Sequence, residues 1–244
     1  NPRSLAEMIA PATKLIWLEA PGSVTMEFPD LAGLLRVAKD KGVIAALDNT
    51  WGAGVAFNAF DIGGGLGVDI SAQALTKYPS GGGDVLMGAV TTRDEALHVK
   101  LKATHMRMGW GVGANDAELV LRSLPSLALR YAAHDAAART LAQWWKQRPE
   151  VTAVLHPAMP GSPGHEHWQA LCTQAAGLFS VVFDARYGSG QVHAFVDAVK
   201  LFRIGYSWAG PVSLVVPYDL SLMRAKPAWP GMLVRFSVGL EAVD

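Results

Sequence analysis

The chain has 244 residues, and its 21 Lys plus Arg against 21 Asp plus Glu leave no net formal charge. That balance speaks against a nucleic-acid binder, which carries a basic excess to neutralise phosphates, and against a polybasic membrane-surface protein. Hydrophobic residues make up 50% and charged residues 17%, so the chain can bury a large core and is not disordered.

The length accommodates one large domain or two smaller ones. The single cysteine, Cys172, excludes an intrachain disulfide framework and a multi-cysteine metal site. A reducing, cytoplasmic setting is the expectation that fits it. No apolar run reaches the length of a membrane-spanning helix, and Asn1 to Glu7 lack the basic-then-apolar order of a signal peptide. High apolar content with low charge further suggests surface buried against other subunits.

In chain order, Leu15 to Leu18 is a short apolar run ending at the turn signal Pro21-Gly22. Pro29-Asp30 opens a helix with Leu31, Leu34, Leu35 and Ala38 on one face, and Gly42 stands where a left-handed C-cap belongs. Val43 to Leu47 is continuously apolar, as a strand covered on both faces must be, and it ends at Asp48. Val68 to Ala72 and Leu86 to Val90 read as two more strands. The alternation predicts a mostly parallel sheet flanked by helices.

A helical stretch follows from about Asn115 to Gln147, divided or kinked at Pro125. Beyond that proline, Leu127, Tyr131, His134, Ala138, Leu141 and Trp145 line one face. After Pro149 the texture becomes that of a smaller α+β part. Its strands are expected at Leu178–Phe183, Val212–Val216 and Leu233–Val238, around a helix carrying Val192, Phe195, Val196 and Val199. Pro157 to Gly164 reads as an extended surface loop.

Three residues stand out chemically. Asp48 lies at the C-terminal end of a buried strand, the place where open parallel sheets bind ligands. Lys77 follows 29 residues later, one crossover away, and Arg235 is a lone cation inside a strand pattern. A buried lysine, aspartate and arginine suit pyridoxal phosphate chemistry. The amine condenses with an aldehyde, the carboxylate holds the pyridine nitrogen protonated, and the guanidinium grips an α-carboxylate. A structural Asp48–Lys77 ion pair and an arginine bridging two lobes are the alternatives the spacing leaves open.

Other candidates read more plainly. Gly63 to Gly67 lacks the strand-to-helix context of a dinucleotide loop, and Gly81-Gly82-Gly83 lacks the Lys-Ser or Lys-Thr of a P-loop. His165 and His167 have no third ligand nearby, so no metal is expected. His134 reads as a core histidine with its hydrogen bonds met, and Cys172 as a small buried hydrophobe. Met106 and Met108 suit a subunit contact better than the mouth of a site.

Several segments resemble the cystathionine β-lyase branch of the Cys/Met-metabolism enzymes that use pyridoxal phosphate. They are Leu18 to Glu27, Asp48-Asn49-Thr50-Trp51, Thr76-Lys77-Tyr78, Gly205 to Gly210, and Arg235 to Glu241. They occur in the family's order through nearly the whole chain. The resemblance implies an α/β fold, the fold-type I pyridoxal-phosphate transferase architecture. Residues 1–123 would then be the C-terminal part of the large cofactor-binding domain. Residues 124–244 would be a small C-terminal α+β domain, incomplete at its end.

The resemblance further implies roles. Lys77 would be the Schiff-base lysine and proton shuttle, with Tyr206 and Ser207 beside it as catalytic residues. Asp48 would pair with the pyridine nitrogen, and Thr76 and Thr50 would also contact pyridoxal 5'-phosphate. Arg235, Ser207 and Trp208 would bind the substrate carboxylate. Tyr206 stands where the γ-lyases and γ-synthases carry glutamate, and they lack Trp208, which favours β-elimination of L-cystathionine. The partners implied are a small amino-acid thioether and further copies of the chain, as a dimer of dimers.

The sequence departs from the family at three places. Ala74 replaces a phosphate-binding serine, Gly81 to Gly83 replace a Gly-His pair, and Gly63 to Gly67 look like a small insertion. A longer member also has an N-terminal portion, which supplies a stacked tyrosine, a phosphate-binding Gly-Met pair and a Tyr-x-Arg element. None of these is found in residues 1–244. The chain therefore reads as a fragment, and a fragment with these residues alone would hold the cofactor weakly.

Overall fold

The computed structural model describes residues 1–223 and 225–243. Asp244, after which the sequence suggests a truncated final helix, lies outside the described residues. Two sheets organise the molecule, one of four strands in the order β1-β2-β3-β4 and one of five.

The first sheet begins after helix α1 (Pro2–Met8) with strand β1 (Leu15–Glu19). Helix α2 (Leu31–Lys41) starts where expected, because Asp30 accepts the Gly33 N–H at 2.8 Å and caps it. It stops at Gly42, whose φ of 64° is the left-handed cap that glycine adopts without a Cβ penalty. Strand β2 (Ile44–Asp48) returns parallel to β1, with Glu19 in register with Asp48.

Strand β3 (Ile70–Ala74) pairs parallel with β2 and sits two residues later than the sequence suggests. The reason is Asp69, whose carboxylate takes the Ala45 N–H at 2.8 Å and delays the ladder. Strand β4 (Gly88–Thr91) is antiparallel to β3, so the sheet is parallel over three strands and reverses at its edge. Met87 is not in the ladder because its N–H and carbonyl both engage Thr76.

Helix α3 (Glu95–Met108) has no counterpart in the sequence reading, since none of its residues is buried and its apolar positions form no stripe. Helix α4 (Ala114–Ser123), one 3₁₀ turn at Leu124–Ser126 and helix α5 (Leu127–Trp145) form the long helical run, divided at Pro125 as expected. Along α5, Tyr131, His134, Ala138 and Trp145 are buried, which is the predicted face.

The second sheet has the order β5-β6-β9-β8-β7. Its centre is β6 (Leu178–Phe183) against β9 (Met232–Ser237), both buried at every position. Strand β8 (Leu214–Asp219) begins later than expected, because Glu241 holds the Ser213 N–H and hydroxyl at 2.7 and 2.8 Å. Strands β5 (Val151–Leu155) and β7 (Arg203–Ile204) complete the sheet, and helix α7 (Ser189–Ala198) packs on it. A single turn, α8 (Leu220–Met223), follows β8.

The expected surface loop at Pro157 to Gly164 is instead a compact set of turns with Pro157, Met159 and Ser162 buried. His165 then opens helix α6 (His165–Leu171), so His165 and His167 lie on a helix. At Gly164 a Cβ would come within 1.8 Å of the Phe28 carbonyl oxygen, at a φ of 75°, so glycine is required there. One hydrophobic cluster joins Leu31, Leu47 and Trp51 of the first sheet's surroundings to Leu178, Val182 and Leu233 of the second. Each such fully buried large side chain contributes roughly 1.5–3 kcal/mol, which binds the two sheets into one body.

Candidate active site

The C-terminal ends of β1, β2 and β3 bring three polar residues together. Asp48 ends β2, and its Oδ1 accepts from the Thr50 N–H at 2.9 Å and the Thr50 hydroxyl at 2.5 Å. That hydroxyl in turn accepts the Ala74 N–H at 2.8 Å, so Thr50 ties the end of β2 to the end of β3. Asp48 Oδ2 carries no hydrogen bond among the described residues, which leaves an acceptor at the sheet's mouth. Glu19, one strand over, has its carboxyl pushed above the usual range, first by desolvation and then by the Asp48 charge beside it.

Lys77 sits in the turn after β3. Its ε-nitrogen donates to the Ser207 hydroxyl at 2.7 Å and lies 5.0 Å from the centre of the Trp208 ring. Its pKa is lowered, first by burial and then by the positive charge of Arg235. No Asp48–Lys77 ion pair exists among the described residues, so that alternative is not realised. A half-buried amine held by a hydroxyl, not by a carboxylate, is suited to act as nucleophile and base.

The turn that carries Lys77 is rigid. Ser80 donates to the carbonyls of Thr76 and Lys77, and Arg130 donates to the Tyr78 carbonyl at 2.7 Å. Tyr78 is fully buried, and its hydroxyl accepts the Gly177 N–H at 2.7 Å, next to β6. Its ring lies against Tyr131, His134 and Trp208. The lysine turn is thereby fixed to both sheets.

Arg235, on β9, is only 4% exposed. It donates to the carbonyls of Ser23 at 2.9 Å and Tyr206 at 2.5 Å, and its guanidinium lies 5.5 Å from the Tyr218 ring centre. No carboxylate pairs with it among the described residues, so the bridge it makes between the sheets runs through main-chain carbonyls. A buried cation with spare donors is ready for a ligand carboxylate. Burial lowers its pKa, yet a guanidinium stays charged.

The remaining predicted residues divide. Ser207 and Trp208 meet Lys77. The Thr76 hydroxyl faces the Met87 main chain, 3.3 Å from its N–H and 3.4 Å from its carbonyl. Tyr206 is 73% exposed and reaches the site through its carbonyl, with its ring edge-on to Tyr218. Ser23, Tyr218, Tyr78 and Glu19 were not singled out from the sequence. Only Glu19 had a readable signal, as a carboxylate ending a strand beside Asp48's strand.

Elsewhere, His134 is buried with Nδ1 2.7 Å from the Val238 carbonyl oxygen, and its Nε2 has no hydrogen-bond partner among the described residues. Cys172 is partly buried, and desolvation pushes its thiol up to about 12. No cluster of three His, Cys, Asp or Glu suits a metal among the described residues.

These residues fit pyridoxal phosphate at its reactive end. They offer an amine of lowered pKa, an unengaged carboxylate oxygen and a buried guanidinium. The phosphate end is thinner, because Ala74 has no hydroxyl and the Thr76 hydroxyl is engaged with Met87.

Comparison with known proteins shows the family. A family model described as "Cys/Met metabolism PLP-dependent enzyme" matches residues 1–244. The cystathionine β-lyase of Bordetella avium is 38% identical over 98% of the chain and 59% of its own length. That of Escherichia coli K12 is 34% identical over 98% and 61%. Among solved structures, a cystathionine γ-synthase of Xanthomonas oryzae pv. oryzae, crystallised with aminoacrylate and cysteine, superposes with a TM-score of 0.90 at 29% identity. It is covered to 63% by the whole of this chain. The methionine γ-lyase CalE6 of Micromonospora echinospora gives 0.86 at 32% identity, over 99% of this chain and 62% of its own. The chain thus spans about three fifths of the length of the curated relatives it matches.

Proposed function

The chain belongs to the Cys/Met metabolism family of pyridoxal-phosphate-dependent enzymes, and from that premise we propose that its site serves a carbon–sulfur lyase acting on L-cystathionine. The reaction is β-elimination, with water consumed and homocysteine, pyruvate and ammonia released. The observation that carries this reading is the junction of Lys77 with Ser207 and Trp208 beside the buried Arg235.

When bound, pyridoxal phosphate supplies an electron sink for the substrate's α-carbon. The chain supplies the rest. Asp48, whose Oδ1 is taken by Thr50, would hold the pyridine nitrogen's proton through Oδ2. Arg235 grips the α-carboxylate, with its direction set by the Ser23 and Tyr206 carbonyls. Lys77 takes the α-proton and returns a proton to the leaving sulfur, and Ser207 keeps the amine on that path. Trp208, 9% exposed, closes one wall and limits water at the reacting atoms.

A γ-elimination or γ-replacement activity is the second reading, favoured by the close superposition on a γ-synthase and a γ-lyase. Product analysis separates the two. Full chain supplied with pyridoxal phosphate and L-cystathionine should yield homocysteine and pyruvate, while cysteine as the product overturns β-elimination. Lys77→Ala should abolish the near-visible absorbance that the cofactor acquires on a lysine.

The same reading makes the protein a cytoplasmic homo-oligomer, a dimer of dimers. The exposed Met106, Met108 and Trp110 support it as contact surface. Residues 1–123 would carry the cofactor and 124–244 the small domain. Among the described residues no helix is long and apolar enough to cross a membrane.

A further inference from the structure

Ser180 is a polar residue where the strand pattern calls for an apolar one. On β6 it stands between Leu178 and Val182 on one face, and it is opposite Arg235 in the β6–β9 register. Side chains directly opposite each other in an antiparallel pair share a face. Leu178, Val182 and Leu233 carry that face into the cluster that joins the two sheets. Ser180 is fully buried, so its hydroxyl costs stability unless it finds a partner.

The partner lies in the strap that leaves β1 toward α2. The Ser180 hydroxyl donates to the Val24 carbonyl at 2.6 Å, and Arg235 Nη1 donates to the preceding carbonyl, that of Ser23, at 2.9 Å. Two neighbouring donors of the second sheet therefore hold two successive carbonyls of the first sheet's strap. The strap is also folded on itself. Gly22 N–H donates to the Glu27 carbonyl at 3.1 Å and Met26 N–H to the Gly22 carbonyl at 3.0 Å. Met26 is fully buried at a φ of 54°, in the left-handed region that side chains rarely adopt. Backbone strained in this way keeps its shape only while its surroundings hold it.

We propose that Ser180 is a positioning residue for Arg235. Its hydroxyl fixes the Val24 carbonyl, the adjoining peptide unit fixes the Ser23 carbonyl, and that oxygen sets the direction of Nη1. The Tyr206 carbonyl sets Nη2. The remaining guanidinium donors then face the α-carboxylate of the amino-acid substrate. The inference rests on the functional reading above and extends it by a buried residue that acts only through Arg235.

Two readouts test it. The first needs no cofactor and follows hydrogen exchange by mass in the strap, residues 20–28. Ser180→Ala should speed exchange there while the β6 and β9 segments exchange as in the wild type. The second loads the full chain with pyridoxal phosphate and titrates it with glycine, which has the carboxylate but no leaving group. The spectral change then reads affinity and not turnover. Ser180→Ala should weaken glycine about fivefold, the effect of losing about one neutral hydrogen bond in the relay. Glycinamide, which lacks the carboxylate, should bind both proteins alike. On an Arg235→Lys background, Ser180→Ala should add nothing.

Unchanged exchange in the strap, unchanged glycine affinity, equal loss for glycinamide, or a further loss on the Arg235→Lys background would each overturn the relay while leaving the functional reading intact. A wild-type chain that shows no spectral response to the cofactor overturns both.

Discussion

The ε-nitrogen of Lys77 and the hydroxyl of Ser207 stand 2.7 Å apart although 130 positions separate them in the chain. The turn after β3 and the loop between β7 and β8 meet there, so the site forms only when both sheets are folded together. Ser207→Ala removes the acceptor and frees the amine to wander. If Ser207 keeps Lys77 on the proton path, kcat/KM for cystathionine should fall about tenfold or more, with the loss mainly in kcat. Steady-state kinetics on the folded variant checks this, and a loss confined to KM would assign Ser207 to binding alone.

Tyr78→Phe removes the acceptor for the buried Gly177 N–H. An orphaned buried donor costs about 1–3 kcal/mol. The midpoint in urea should fall accordingly with an unchanged slope. The Arg130 bond to the Tyr78 carbonyl survives, so the lysine turn should stay formed.

His156 is fully buried, with burial pushing its pKa down to about 3. The folded state holds it neutral, whereas the unfolded chain protonates it near 6.5. Its contribution is therefore whole above pH 6.5 and is lost as pH falls from there toward 3, at up to about 1.4 kcal/mol per pH unit. A His156→Gln variant should show a flatter acid limb when stability is measured against pH, even if it is less stable at neutrality.

Lys77 is also held against its own charge. Its folded pKa lies below the ordinary 10.5, so the charged amine costs stability below the folded value and nothing above 10.5. Lys77→Met should be more stable than the wild type at neutral pH, and the gain should shrink as pH rises through the lysine range. Such a gain at a site residue is the usual trade of stability for function.

Glu19 shifts the opposite way, and its ionised form costs stability above the folded pKa and nothing below the ordinary glutamate range. Glu19→Gln should therefore be slightly stabilising at neutral pH and neutral in acid. Thermal midpoints at the two pH values check this.

How much of this was readable in the chain depends on what each residue shows beyond its neighbours. Leu178–Phe183 is an unbroken apolar run and became a fully buried strand. Asp30 and Gly42 bracket α2 because their side-chain chemistry acts locally. α3 was missed because no face of it is buried. The reversal at β4 was missed because strand direction is set by the Thr76–Met87 contact and not by composition. In the site, Asp48, Lys77 and Arg235 were legible as charges in apolar surroundings. The carbonyls of Ser23 and Tyr206 were not, since every residue has a carbonyl and only the fold selects which one faces a guanidinium. Tyr218 gave no signal either, as one aromatic among many on a strand.

The most direct measurement is a competition among lysines for the coenzyme. The chain is exposed to limiting pyridoxal phosphate near neutral pH, reduced with borohydride, digested and mapped by mass. A half-buried amine of lowered pKa, held by Ser207, should take the label ahead of exposed lysines such as Lys39, Lys41 and Lys100. Label spread over those surface amines, with position 77 bare, would contradict the account.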